Sequence, residues 1–232
     1  MGSAGCGAFS GGVVVIERGH AHSLTCCPPG RSGNVMAMVA LRKRAPARMT
    51  TDEFLTWDPG DPSGRLWQLI NGEPVAMAPG SENHGALQGQ ISRLVGNHLY
   101  DNRPSCRLIV TPGVVPRIHA ARNYRIPDLG VTCSPPSGEL MLPDPVLLIE
   151  ILSPSNEAET WTNIWAYTTI PSVTEILAVR STRIEAELLR RLPDGNWPAE
   201  PLTLRAGDAV ELSSIGLTVD LAAFYQTTTL RR

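Results

Sequence analysis

Between Pro145 and Ser155 the chain reads Pro-Val-Leu-Leu-Ile-Glu-Ile-Leu-Ser-Pro-Ser, an apolar run interrupted by a single carboxylate. Strand alternation sends Val146, Leu148, Glu150 and Leu152 to one face and Leu147, Ile149 and Ile151 to the other. Both faces are apolar, the pattern of a central strand covered on each side. An ionised Glu in such a strand costs several kcal/mol unless it is paired, hydrogen-bonded or bound to a metal. Glu150 therefore needs a partner. The nearest candidate is Asp128, which follows a proline in a second short strand, Arg125-Ile126-Pro127-Asp128-Leu129-Gly130-Val131. Two carboxylates on neighbouring strands repel each other unless a hard divalent cation lies between them.

The rest of the chain can support such a strand. Its 232 residues, 42% apolar and 18% charged, suit one α/β domain with a tail. A net charge of −2 argues against non-specific coating of nucleic acid and leaves room for a local basic face. Lys43 is the only lysine; every other basic side chain is arginine or histidine. Cys6, Cys26, Cys27, Cys106 and Cys133 are odd in number and include no Cys-x-x-Cys, so reduced thiols of a cytoplasmic protein are expected. No apolar run near the start is long enough for a signal peptide or a membrane span. Residues 1–35, rich in Gly, Ser and Pro, read as a poorly ordered extension or an over-long start, with Met36, Met38 or Met49 as the beginning of the folded part. The domain is assigned to residues 36–232.

Along that domain, Thr50 or Thr51 caps a short helix with Asp52 and Glu53 in its first turn. Asn71-Gly72 between Arg65–Ile70 and Glu73–Met77 signals a hairpin. Ser81 caps a helix whose buried stripe is Leu87, Ile91, Leu94, Val95 and Leu99, and Pro104 stops it. A strand from Leu108, broken near Pro112-Gly113, leads to a polar tip carrying Arg117, His119, Arg122 and Asn123. After the two carboxylate strands, a helix from about 156 to 169 presents Ala158, Trp161, Ile164, Trp165 and Thr168 inward, the two tryptophans packing in the core. Val173–Val179 is another buried strand, and 184–192 with 202–212 forms an outer hairpin before a last short helix from Leu221. The order predicts an α/β (α+β) layer fold: a mixed central sheet with helices on both faces.

The succession Leu69-Ile70-Asn71-Gly72-Glu73, His84 at a helix start, Ile126-Pro127-Asp128-Leu129, Leu148-Ile149-Glu150-Ile151-Leu152-Ser153-Pro154-Ser155 and Tyr167 before Ile170-Pro171-Ser172 resembles the Uma-type putative restriction endonuclease family. That family belongs to the PD-(D/E)xK nuclease superfamily. The resemblance spans about residues 38 to 225 and implies a restriction endonuclease-like core that hydrolyses phosphodiester bonds of DNA. It further implies Mg²⁺, with Mn²⁺ as a substitute, bound by Asp128 and Glu150 with the Ile151 carbonyl as third ligand. Glu73 matches an acidic position of the family and would reach the metal through water or orient the nucleophile. His84 would donate to the scissile phosphate or hold Glu73, against the plainer reading of an ordinary helix-end histidine.

One position departs from the pattern. Where the superfamily places a lysine two residues after the strand glutamate, this chain has Leu152, and the helix position that matches the family's relocated lysine is Asn163. An amide can hold water but supplies no charge. Arg125, three residues before Asp128, is a substitute of the right sign. Arg117, Arg122 and Arg125 are also the candidate contacts to a phosphate backbone, against a solvated tip. The rival expectations are a weakly active or inactive relative that binds nucleic acid or a protein, a non-nuclease metallohydrolase, and a structural domain whose Glu150 pairs with an arginine. A nuclease without a recognition domain is expected to pair with a second copy to cut two strands.

Overall fold

In the computed structural model, residues 48–231 are described. The expectations for residues 1–35, for a start at Met36 or Met38 and for Lys43 lie outside them. Helix α1 (Thr51–Leu55) opens with a capping box: Thr50 Oγ1 accepts the Glu53 N–H while the Glu53 carboxylate accepts the Thr50 N–H. Strands β1 (Trp67–Ile70) and β2 (Glu73–Ala76) form an antiparallel hairpin. At its turn Asn71 and Gly72 both take positive φ, 52° and 86°, which suits the right-handed twist of two strands joined by two residues. Ser81 caps α2 (Glu82–Asn102), and Leu87, Ile91, Val95 and Leu99 are its buried stripe.

The main sheet is built from β3 (Arg107–Val110), β4 (Leu129–Thr132), β5 (Pro145–Leu152), β6 (Glu175–Arg180), β7 (Glu185–Arg190) and β8 (Leu202–Arg205), in that spatial order. Only β5 and β6 run parallel, and α3 (Glu157–Tyr167) makes the crossover between them. The two faces of β5 enter two separate cores. Leu147, Ile149 and Ile151 pack with the α2 stripe and with Leu221 and Phe224 of the last helix, α4 (Leu221–Phe224). Leu148 and Leu152 pack with Ile164 and Tyr167 of α3. A third cluster, Met49, Phe54, Leu69, Tyr124 and Ile126, ties α1 and the hairpin to the chain entering β4. The sheet is mixed and carries helices on both faces, as its sequence pattern requires. Among the described residues no helix is long and apolar enough to cross a membrane.

Three expectations change. The stretch 202–212 is two strands, because Gly207, at φ 98°, turns the chain out of β8 into β9 (Ala209–Leu212). Strand β9 pairs instead with β10 (Leu217–Asp220). The buried side of α3 is Thr160, Asn163, Ile164 and Tyr167; Trp161 is half-buried and Trp165 is 42% exposed. Polar-tipped residues can face inward there because Asn163 and Tyr167 both find buried hydrogen-bond partners, described below.

The reduced state expected of all five cysteines also fails for Cys106 and Cys133, which form a disulfide. They stand opposite each other one step beyond the last pair of the β3–β4 ladder, Arg107 with Thr132. A sequence separation of 27 gave no cue to this. The bond should stabilise the sheet edge by about 2–4 kcal/mol. Thermal unfolding with a thiol reductant should therefore begin roughly 5–15 °C lower than without it. Equal melting temperatures, with both cysteines open to alkylation in unreduced protein, would exclude the bond.

Candidate active site

The site forms where β4 fails to cover β5. Strand pairing ends with Leu129 opposite Ile149. Beyond it the Ile151 N–H is buried and without a backbone partner across the ladder, and the Asp128 side chain supplies one: Ile151 N donates to Asp128 Oδ2 at 2.7 Å. The Asp128 backbone carbonyl is held in turn by Gln88 Nε2 at 3.0 Å and by the Thr111 N–H at 2.9 Å. Thr111 takes φ 48°, a costly conformation for a β-branched residue, just where its amide reaches Asp128.

From the α2 side of the sheet, His84 Nε2 donates to the other Asp128 oxygen, Oδ1, at 2.8 Å. Ser81 Oγ accepts the His84 N–H, which fixes the residue in the first turn of α2. A Cβ at position 80 would stand 2.9 Å from the imidazole, so Gly80 makes the room that the ring occupies. Burial lowers the His84 pKa, but the hydrogen bond to Asp128 and its charge outweigh it, and the net direction is up. His84 Nδ1 is buried without a partner.

From the opposite side of the sheet, Tyr167 of α3 donates its hydroxyl to Glu150 Oε1 at 2.7 Å. Glu150 is 6% exposed and Asp128 7%. Burial and the neighbouring charge of Asp128 drive the Glu150 pKa well above the ordinary carboxylate value, and the Tyr167 bond offsets only part of this. Burial and the Glu150 charge raise Tyr167 as well, so the phenol stays a donor. The partner of Glu150 is thus a phenol, and not the arginine that a purely structural reading required.

Arg125, three residues before Asp128, is buried. Its Nη1 donates to Asn163 Oδ1 at 2.9 Å and its Nη2 to Asn123 Oδ1 at 3.1 Å. Gln68 Oε1 joins the network, accepting the Ile126 N–H at 3.2 Å and Asn163 Nδ2 at 3.4 Å. Asn123 Oδ1 also takes the Asn71 N–H, so the hairpin turn, the β4 approach and α3 share one polar cluster.

Of the residues expected in the site, the structure joins Asp128, Glu150, Ile151 and His84 directly, while Arg125 and Asn163 bond to each other and to none of these. Arg125 is buried at 3% exposure and does not belong to the exposed tip. Arg117 and Arg122 do remain on that surface, Arg122 as the last residue of a 3-10 turn at Ala120–Arg122 and Arg117 three residues before it. Glu73 is exposed at the start of β2, and its carboxylate makes no hydrogen bond or ion pair with a described residue. His84 holds Asp128 and not Glu73. The composition of the strands and helices gave no sign of the roles of Tyr167, Gln88 and Gln68. A tyrosine one turn beyond Asn163 could have suggested the first, since positions four apart share a helix face.

No group of three or more His, Cys, Asp and Glu side chains able to hold a metal occurs among the described residues. The donor set that the structure brings together is smaller, the adjoining carboxylates of Asp128 and Glu150. It still fits a hard cation that takes oxygen ligands from one or two carboxylates and keeps several waters.

Residues 51–222 match the model of the Uma2 family, described as putative restriction endonucleases. An uncharacterized protein of Synechocystis sp. is 31% identical over 193 residues, 82% of this chain and 98% of its own length. The crystal structure of a putative nuclease belonging to DUF820, from Anabaena variabilis, superposes with a TM-score of 0.63. That likeness covers 77% of this chain and 98% of the other at 16% identity, and is one of fold.

The raised Glu150 pKa fixes how metal-free stability depends on pH. A group whose pKa is raised on folding contributes stability that is complete below its unfolded value, 4.5 here, and is lost as pH rises through the folded value. The His84 contribution has the same sign, with its loss beginning above 6.5. Metal-free protein should therefore melt at a lower temperature at pH 8 than at pH 6. Glu150→Gln keeps an oxygen for Tyr167, and should flatten the slope and raise stability at pH 8 by on the order of 1 kcal/mol or more. A variant that melts lower than wild type at pH 8 would show that the ionised carboxylate is well compensated in the fold.

Proposed function

The chain belongs to the Uma2 family of putative restriction endonucleases, and on that footing we propose that it is a divalent-metal-dependent DNA endonuclease centred on Asp128 and Glu150. The observation that carries the reading is the buried carboxylate pair, with Glu150 pushed toward its neutral form by burial and by Asp128. Like charges are kept so close where a cation is to be bound. Asp128, Glu150 and the Ile151 carbonyl would hold Mg²⁺ or Mn²⁺. Such an ion supplies a water of lowered pKa and stabilises charge developing on a phosphodiester.

The surrounding residues account for the remaining requirements. The Ile151 N–H and His84 fix both Asp128 oxygens, and Tyr167 fixes Glu150, so neither carboxylate has to be ordered when the site fills. His84 stands in the first turn of α2, where an anionic phosphate group is favoured, and its raised pKa keeps a proton near the reacting centre. In hydrolysis the water oxygen bonds to phosphorus, the bond to the leaving sugar oxygen breaks, and that oxygen takes up a proton; His84 is the group placed to hold one. Arg117 and Arg122, on the exposed tip, suit the flanking phosphates. A second reading, a relative that binds metal and nucleic acid with little cleavage, draws on the lack of any lysine among the described residues.

The test is thermal unfolding of the full chain with and without Mg²⁺ or Mn²⁺, with plasmid nicking scored in the same samples. Asp128→Ala leaves the Ile151 N–H without an acceptor and should cost about 1–3 kcal/mol by itself. Asp128→Asn, which keeps an acceptor oxygen, is therefore measured beside it, and the metal effect is read within each protein. Wild type should gain several degrees with metal and nick the plasmid, and both responses should vanish in both variants. Stabilisation without nicking would establish the second reading. Neither response in wild type would refute a metal centre.

A further inference from the structure

The exposed tip carries an apolar side chain among its cations. Between Asp101 and Asp128 the sequence has no acidic residue, and it holds five arginines and His119 there, in a chain whose net charge is −2. Arg117, Ile118, His119, Ala120, Ala121 and Arg122 are all exposed. Glu53 of α1 lies within electrostatic reach of Arg122, but its carboxylate is engaged by Thr50 in the capping box. Glu139 and Asp144 line the same cleft as Arg117. Neither guanidinium makes a hydrogen bond or ion pair with a described residue. Among these groups stands Ile118, 49% exposed. A lone exposed isoleucine needs no explanation by itself. This one is held in place by its backbone. The Arg117 and Ile118 N–H groups donate to Thr169 Oγ1, and the Ile118 and His119 carbonyls accept Asn123 Nδ2. The Ala120 carbonyl accepts Thr51 Oγ1, and the Arg122 carbonyl accepts the Gly72 N–H. Helix α1, the hairpin turn and the segment after α3 thus fix the tip, so Ile118 has no way to turn inward. Its β-branched side chain is stiff, and Ala120 and Ala121 are too small to cover it. A tip that served only phosphates would gain nothing from an apolar group between its cations. A DNA duplex offers both surfaces, an apolar stack of bases between two rows of phosphates.

We infer that Ile118 is a wedge: with Arg117 and Arg122 on the phosphates, its side chain enters the base stack and opens one step of the duplex. The inference rests on the nuclease reading and names the substrate class which that reading leaves open. The favoured DNA is a duplex with an easily unstacked step, a pyrimidine–purine step or a mismatch. Opening a step costs free energy that depends on the bases at that step, so selectivity arises without a hydrogen bond to any base. Phosphate contacts give affinity and salt dependence but carry no such preference. The two contributions are separable. Removing the Ile118 side chain should abolish selectivity and leave the salt dependence, and removing the two arginines should do the reverse.

The experiment compares full-length wild type, Ile118→Ala, Ile118→Met and the double variant Arg117→Gln with Arg122→Gln. Each is titrated, with Ca²⁺ in place of Mg²⁺, into a short duplex with 2-aminopurine beside a central TA step, and into the same duplex with a central mismatch. Fluorescence, Kd at several salt concentrations and melting temperature are measured, and plasmid nicking in Mg²⁺ is scored alongside. Wild type should raise the 2-aminopurine fluorescence about twofold or more at saturation, and should bind the mismatched duplex about fivefold or more tightly than the matched one. In Ile118→Ala the rise should vanish and the preference should fall to less than about twofold. Its salt dependence and melting temperature should stay as in wild type, since the side chain is exposed. Ile118→Met, which keeps an apolar side chain of similar volume, should retain both the rise and the preference. The double arginine variant should flatten the slope of log Kd against log salt by about 1.8, the share of two phosphates, and keep the rise at saturation. Wild type that nicks and binds without a change in fluorescence would overturn the inference and leave the nuclease reading standing. So would Ile118→Ala that matches wild type in fluorescence and preference. Wild type that neither binds DNA nor nicks it would overturn both.

Discussion

The hydrogen bond from the Ile151 N–H to Asp128 Oδ2 is the contact on which the rest of the centre depends. It exists because β4 stops pairing with β5 at Leu129, two residues short of Ile151, and a buried amide cannot be left without an acceptor. Asp128 fills that gap in the ladder with its side chain. One carboxylate oxygen is thereby tied to the sheet, the other turns toward α2 and His84, and the Glu150 carboxyl comes beside them. A single requirement of backbone chemistry thus fixes the direction of the carboxylate and brings two like charges together. The same junction gathers residues from both layers, where β4 has ended and β5 runs on: His84 reaches in from α2 on one face and Tyr167 from α3 on the other.

Much of this could be read from residues. Glu150 in a strand apolar on both faces predicted a buried acid in the middle of the sheet and a carboxylate neighbour. Asn71-Gly72 and Ser81 predicted the hairpin and the start of α2, since each of those residue types satisfies a local backbone need whatever the tertiary context. The inward face of α3 was misjudged for a physical reason. Apolarity favoured Trp161, which does pack against the core beside Ile164 and Tyr167, and Trp165, which stays exposed while Asn163 and Tyr167 turn inward to reach Arg125 and Glu150. A polar side chain counts as outward-facing in a pattern until its buried partner is known. The disulfide was equally invisible, because two cysteines 27 residues apart meet only through the register of β3 on β4. Glu73 shows the converse: a residue can match a family pattern in order and still stand exposed, its carboxylate bonded to no described residue.

The centre is also where the fold gives up stability. Glu150 is held near a charge of its own sign, Thr111 keeps a left-handed backbone to reach Asp128, and Arg125 is buried without an acid. Each departs from what a stable interior would choose, and all three meet within the same few strands. Two other charged groups are paired in the ordinary way. The Glu175 carboxylate accepts Arg190 Nε and the Ser213 and Ser214 amides, and Arg180 is surrounded by glutamates. Unfavourable choices that coincide in one place suit the metal centre proposed above.

The polar cluster behind the centre joins it to the surface that would meet nucleic acid. Asn123 takes the Asn71 amide and the Arg125 guanidinium on its oxygen, and gives its own N–H groups to the Ile118 and His119 carbonyls. The Thr169 hydroxyl, just past the end of α3, accepts the Arg117 and Ile118 N–H groups. The tip that carries Arg117 and Arg122 is therefore braced from both sides by the elements that position Arg125, Asn163 and Tyr167. Phosphates held at the tip would be tied through these hydrogen bonds to the elements that carry Asn163 and Tyr167. Catalysis by positioning needs that rigidity, because small displacements of a reacting group cost large factors in rate. In this chain the side-chain amides of Asn123 and Gln68 supply such bracing, satisfying backbone groups on several elements at once.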